Sequence, residues 1–231
     1  MQERADRSPE EPGAADPNLP DPWAYDPSRP IAMLEESFTE LDLDSLFGGN
    51  MSGIDLDGLS MRGKDLTGTR LIDTWMRGTD LVRTDLTRAD LTRADLTDAD
   101  MTEANLTHAN LTESKLAAAN LVGANLTRAN LTRSTMTGAT LTGADLTDAT
   151  LTGADLTDAD LTGTNMSGTN LTGAAMPAIT QLRSVIWTVQ TDWGSLTSEV
   201  RLNSVSAGPP GQYVLNPPQS DSRAPKVPVR H

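Results

Sequence analysis

The apolar residues of this chain fall on neither of the two common spacings. A helix repeats its buried positions about every 3.6 residues and a strand every second residue. Here Leu or Met recurs every fifth residue, from Met51 through Leu56, Met61 and Leu66 to Leu171 and Met176, and all 26 of these positions obey the rule. Each such position is termed a centre. From Thr69 to Ala174 the residue two before the centre is always Ala, Ser or Thr. The residue one before it is usually Asp or Asn, and the residue one after it is Thr in most units. The stretch ADLTRADLTDADMTEANL, residues 89–106, carries the pattern without a break.

Such a period builds a coil. If the centre and the small residue two before it both point inward, the residue between them points outward, and the three form a short strand. The other two residues must turn the chain, and the Gly, Asp and Asn found there tolerate a tight corner. One unit is then one side and one corner, and four sides close a coil of 20 residues. Successive coils pair through the backbone at about 4.8 Å, so residues 51–176 make about six coils and a rod about 30 Å long. The interior is a column of Leu and Met with Ala between, each buried Leu contributing roughly 2 kcal/mol.

The run of ADLTG, ANLTR and ADLTD units resembles the pentapeptide-repeat family, whose pattern is A(D/N)LXX. The resemblance covers residues 51–176 and implies an all-β fold, a right-handed quadrilateral β-helix. It weakens at the start, where Ile54, Leu59 and Lys64 replace the small residue, so irregular or covered coils are expected there.

Both ends of such a rod expose unpaired strand edges and need covering. The segment PIAMLEESFTEL, residues 30–41, begins with proline and places Ile31, Leu34, Phe38 and Leu41 at helical spacing. It predicts a helix within an N-terminal cap, residues 30–50. Residues 177–216 break the period and resemble the terminal segment of many actinobacterial family members, which joins a W…T.W stretch to a short helix and a G.Y strand. Trp187, Trp193 and Tyr213 are then expected in the core of a C-terminal cap. Residues 1–29, acidic with six prolines, and residues 217–231, with four, are expected to be disordered tails.

Composition narrows the chemistry. Only 3% of residues are aromatic, and there is no cysteine, which excludes thiol catalysis, disulfides and Cys-ligated zinc. The net charge of −14 disfavours direct nucleic-acid binding and suits a basic protein surface. No stretch reads as a signal peptide or membrane span, so a cytoplasmic protein without membrane contact is expected. His108 and His231 are the only imidazoles. Asp–x4–Asp spacing places carboxylates on different sides of a coil, so no enzyme activity, metal site or cofactor is expected.

Three departures from the repeat are candidate partner-binding sites. By the 20-residue map, Asp73, Arg93, Glu113 and Arg133 form a corner column of alternating charge, explained by pairing between coils. Arg88, His108, Arg128 and Asp148 form a second column, in which two bases flank His108 and offer a contact for an acidic group. Asp145, Asp148, Asp155, Asp158 and Asp160 form an acidic belt with no base between Met136 and Met176. The belt is either a docking surface or a solubilising wall. Trp75 precedes a centre, so it should point outward with Ile72 and Val82 nearby, covered by the N-terminal helix or by a partner.

Two functions follow. The first is a general interaction scaffold for an unidentified protein, and this reading is favoured. The alternative comes from the resemblance: acidic family members mimic DNA, occupy the DNA-binding saddle of DNA gyrase and protect it from quinolones. A duplex 30 Å long presents about 18 charges, whereas residues 51–176 carry 17 acids and 10 bases, net −7. Residues 1–49, with 12 acids and 3 bases, hold the larger share. The gyrase-binding members are dimers joined at their C-terminal ends and often have Phe at centres. No centre here is Phe, and a homodimer stays an open alternative.

Overall fold

In a computed structural model the described residues are 49–216. The expected tails 1–29 and 217–231, and the helix expected over 30–41, lie outside them.

From Asn50 the chain pairs with itself every 20 residues, in parallel register. Asn50 bridges Arg70, Arg70 bridges Asp90, and the residue before each centre continues the series to Asp155–Ala175. A bridge falls at every fifth residue, giving four columns of paired backbone per coil.

Every backbone N–H of a typical unit can be assigned. In the unit around Leu91, the Leu91 N–H donates forward to Asn110 O at 2.7 Å and the Arg93 N–H forward to Thr112 O at 3.0 Å. The Asp90 N–H donates backward to Thr69 O at 2.9 Å, and the Ala94 N–H closes the corner on Leu91 O at 3.0 Å. The remaining donor, Thr92 N–H, goes to the Asp90 side chain at 3.2 Å. Two N–H groups of each such unit therefore point to the next coil and one to the previous coil.

The corner needs a left-handed residue two after the centre. Every such residue from Gly53 to Gly173 has positive φ, and at Arg93, Glu113, Ala118 and Arg133 it lies between 55° and 59° without help from glycine. For a residue with a Cβ this conformation costs about 1 kcal/mol or more. The three intercoil hydrogen bonds of each unit offset that cost, so side chains well beyond Gly, Asp and Asn occupy the corner.

The centres from Met51 to Leu171 are 0–2% exposed. Ala fills most of the positions between them, and Ser or Thr replaces it at others, where several hydroxyls donate to a nearby carbonyl, whereas those of Thr69 and Ser134 have no partner among the described residues. Thr74 donates to Leu71 O at 2.7 Å, Ser114 to Leu111 O at 2.8 Å, and Thr84 to Met61 O of the previous coil at 2.8 Å. Of the two alternatives expected from Ile54, Leu59 and Lys64, the start of the repeat is not irregular, and a covering cap segment lies outside the described residues. Met51 N–H already reaches Arg70 O at 2.8 Å and Leu56 N–H reaches Trp75 O at 2.7 Å. The larger residues fit because no repeat coil stacks against their outer side, and all three are half-buried.

Beyond Met176 the period ends but the pairing does not. Strand β1 (Val185–Thr188) is followed by a 3-10 turn (Gly194–Leu196), helix α1 (Thr197–Leu202), β2 (Ser204–Ser206) and β3 (Gln212–Leu215). The strands form an antiparallel sheet in the order β1-β3-β2. Ile186 and Asp192 bridge Asn165 and Asn170, so this module covers part of the last coil's edge. Trp187 and Trp193, each 2% exposed, meet edge to face with ring centres 6.2 Å apart, and Tyr213 tilts over Trp187 at 4.7 Å. The Trp187 indole N–H donates to Ser204 Oγ at 2.9 Å. The two tryptophans thus occupy the interior of the module, where the sequence places them, and Tyr213 packs against them half-buried.

Candidate functional site

The outer wall is built from the residue before the centre and the Thr after it. Asp85 accepts hydrogen bonds from the N–H of Thr87 at 2.9 Å and from its hydroxyl at 2.5 Å. One coil on, the Asn105 amide donates to Asp85 Oδ1 at 3.2 Å and to Thr87 Oγ1 at 2.8 Å. Asn105 in turn accepts from Thr107. The same ladder links Asp90 to Asn110, Asp100 to Asn120 and Asp145 to Asn165. Aspartate and asparagine recur on the wall because each supplies the acceptor that one corner N–H lacks. At Trp75 that acceptor is missing, and Asp57 of the previous coil takes the Arg77 N–H instead.

Ion pairs between coils add to the ladder. In the first corner column Arg93 pairs with Asp73 at 2.6 Å and Arg133 with Glu113 at 3.5 Å, as the alternating charges suggest. Arg83–Glu103, Arg62–Asp80, Arg77–Asp57 and Lys115–Asp95 pair as well. All are at least partly exposed, so solvent screens them and each adds little to stability.

The second column is only partly a row of bases. Arg88, His108 and Arg128 do lie at successive corners, each with positive φ. Arg128 pairs with Asp148 at 3.5 Å, so two of the candidate residues engage one another. Arg88 and His108 make no side-chain hydrogen bond or ion pair among the described residues.

The acidic belt spreads over three of the four sides. Asp145, Asp155 and Asp160 are wall residues, and Asp148 and Asp158 are corner residues. Asp145 accepts from Thr147 and Asn165. Asp155 accepts from the Thr157 N–H at 2.9 Å and the Thr137 hydroxyl at 3.3 Å. Asp160 accepts from the Thr162 N–H at 2.9 Å and the Thr142 hydroxyl at 3.1 Å. Hydrogen bonds from the Thr157 hydroxyl and N–H hold the Asp155 carboxyl below the usual carboxylate range, and Thr162 does the same for Asp160. No group of His, Asp and Glu among the described residues could hold a metal ion, and none of their helices could cross a membrane.

Trp75 points outward as expected, 36% exposed, in a column between Asp55 and Asp95. Ile72 is half-buried beside it. Val82 is buried, because side chains just after a centre lie along the wall, where most of the Thr residues are half-buried too.

The wall thus holds no converging catalytic set but a long, pre-paired polar surface with local exceptions. Comparison with known proteins agrees with the repeat. Among solved structures the chain is similar to HetL, a pentapeptide repeat protein involved in heterocyst differentiation regulation from the cyanobacterium Nostoc. The two are 34% identical over 54% of this chain and 61% of HetL, with a TM-score of 0.41. It thus spans less than two thirds of that protein. It is also similar to full-length QnrB1, a plasmid-mediated fluoroquinolone resistance protein, at 16% identity over 68% of this chain and 89% of that one, TM-score 0.40. A third is a pentapeptide repeat protein of the Arabidopsis thaliana thylakoid lumen, at 26% identity over 54% and 69%, TM-score 0.31. No curated protein matches the chain significantly. The family model for pentapeptide repeats matches in eight copies, over residues 50–88, 76–107, 109–148 and 140–176. With more than half of its residues matched, the chain belongs to the pentapeptide repeat family.

Proposed function

We propose that this protein is a cytoplasmic, non-catalytic interaction scaffold, a right-handed quadrilateral β-helix whose acidic late wall docks a basic protein surface. The contrast along the wall carries the reading. Up to Arg133, bases are interleaved with the acids and six pairs among the described residues join them from coil to coil, while Asp85, Asp90, Asp98 and Asp100 stand outside those pairs. From residue 134 to 182 there is no base, and Asp145, Asp155, Asp158 and Asp160 make no ion pair among the described residues. Hydrogen bonds hold two of these carboxyls below the usual carboxylate range, and the belt offers negative charge to a Lys- and Arg-rich partner.

The same base-free belt is also compatible with one concrete partner, the DNA-binding saddle of gyrase. The experiment serves both readings. Asp145, Asp148, Asp155, Asp158 and Asp160 are changed together to Asn, which keeps an oxygen for the Thr N–H groups. Gyrase supercoiling is then measured with each protein at about 50 mM salt, where charge contacts are weakly screened. Inhibition by the wild type, lost in the variant at unchanged melting temperature, supports mimicry. No response of gyrase to the wild type sinks it and leaves the general scaffold. A partner held equally well by the variant would reduce the belt to solvation.

A further inference from the structure

The first coils carry a groove that the repeat itself does not explain. It encloses about 360 Å³ and is lined by Ser52, Gly53, Ile72, Trp75, Arg93 and Lys115, among others. Trp75 stands where most units place Asp, Asn or Thr, so an indole replaces a residue that would have served the wall. Ile72 and Trp75 make an apolar floor. The Asp73–Arg93 and Asp95–Lys115 pairs make a charged rim. Arg70, exposed two residues before Ile72, has no ion pair among the described residues.

We propose that residues 30–41 of this same chain dock in that groove, setting Ile31, Leu34, Phe38 and Leu41 against Ile72 and Trp75. Three observations favour this occupant. The first is where the chain comes from. Gly49 O accepts the Arg70 N–H at 2.9 Å, and Gly53, four residues on, already lines the groove. The preceding chain therefore joins the rod beside the groove, and the seven residues 42–48 reach up to about 24 Å. The second is charge. Residues 30–48 hold Glu35, Glu36, Glu40, Asp42 and Asp44 and no base. Residues 62–93 are the basic stretch of the repeat, with seven bases against five acids, and Arg70 beside the groove is in no ion pair among the described residues. The third is shape: four apolar residues at helical spacing make a stripe that needs an apolar surface. Among the described residues of the repeat, Trp75 is the exposed large hydrophobic side chain; Val189 and Leu202 lie in the terminal module. A docked segment withholds the groove from other molecules, so the rod's two ends are used differently: the early wall by the chain itself, the late wall by a partner.

Hydrogen exchange of the full chain tests this without truncation. In the wild type, amides of residues 30–41 are expected to exchange at least ~10-fold more slowly than in a free peptide. Trp75→Ala should remove that protection and Trp75→Phe should keep most of it. Phe38→Asp should remove it with no change to the rod. The amides of Leu111 and Leu121 report that the coil stays folded in every variant. Free-peptide rates in the wild type overturn the proposal, as does protection that Trp75→Ala leaves intact. Protection that fades on dilution overturns it in favour of a second copy's segment.

Discussion

At the scale of single residues, the fold rests on a division of labour within five positions. The centre fills the column, the small residue lets the next coil approach, and the corner residue accepts a left-handed backbone. Ala118 isolates the corner requirement, because it is exposed and has φ 55°. A β-branched side chain at positive φ is strained, whereas glycine is not. Ala118→Val is therefore expected to lower unfolding stability by about 1–2 kcal/mol, and Ala118→Gly to be neutral or slightly stabilising. Urea unfolding midpoints check both, and equal midpoints would remove the strain argument. The inward positions were legible in the sequence because Leu and Met have no alternative to the column. The corner was legible only in part. Gly, Asp and Asn announce a turn, but Arg83, Glu103 and His108 hold the same backbone with no such signature.

At the scale of the element, the strand is so short that it has little meaning alone, and the ladder of Asx and Thr side chains is the working unit. Its pattern was visible as Asp or Asn before the centre and Thr after it. Its purpose was not, because the acceptor role appears only when the corner N–H is found without a backbone partner. Ion-pair columns were legible where spacing is 20 residues, as in Asp73–Arg93. They were not where it is 18, as in Arg62–Asp80. The second corner column shows the limit of that map: it placed Arg128 and Asp148 correctly, but only coordinates show the two engaged. The ladder also sets a pH response. Thr157 and Thr162 depress the carboxyls of Asp155 and Asp160. A depressed carboxyl stabilises the fold fully above its unfolded pKa, about 3.9, and loses that contribution as pH falls through its lower folded value. The melting temperature should thus be level from neutral pH to about 5 and fall below about 4. In the Asp155→Asn, Asp160→Asn double variant the fall should be shallower; an identical acid profile would count against the ladder.

At the scale of the molecule, each coil contacts its two neighbours, so length is adjustable in whole turns. Deleting residues 92–111 removes 20 residues and returns every column to register. Such a rod should still unfold cooperatively, at somewhat lower stability. Deleting residues 92–109 removes 18 and turns centres onto the wall. It should lose cooperative melting, as followed by circular dichroism. If both deletions melted alike, the 20-residue pairing would not be what holds the rod together. The terminal module was legible as an interruption with buried aromatics. The order β1-β3-β2 was not, since three short strands permit several pairings and the choice depends on how Ile186 and Asp192 extend the last coil.

The unequal direction of the hydrogen bonds gives the rod a front and a back that cannot be exchanged. Its final edge is rich in donors, and the terminal module meets it with acceptors: the carbonyls of Arg183, Ile186 and Asp192 take the N–H groups of Gly163, Met166 and Leu171. The hydroxyls of Thr188 and Thr191 take Gly168 N–H. The opening edge is the complement, with two carbonyls for each N–H. A plug for that edge must bring donors, so a second copy of residues 177–216 grafted there would set carbonyl against carbonyl.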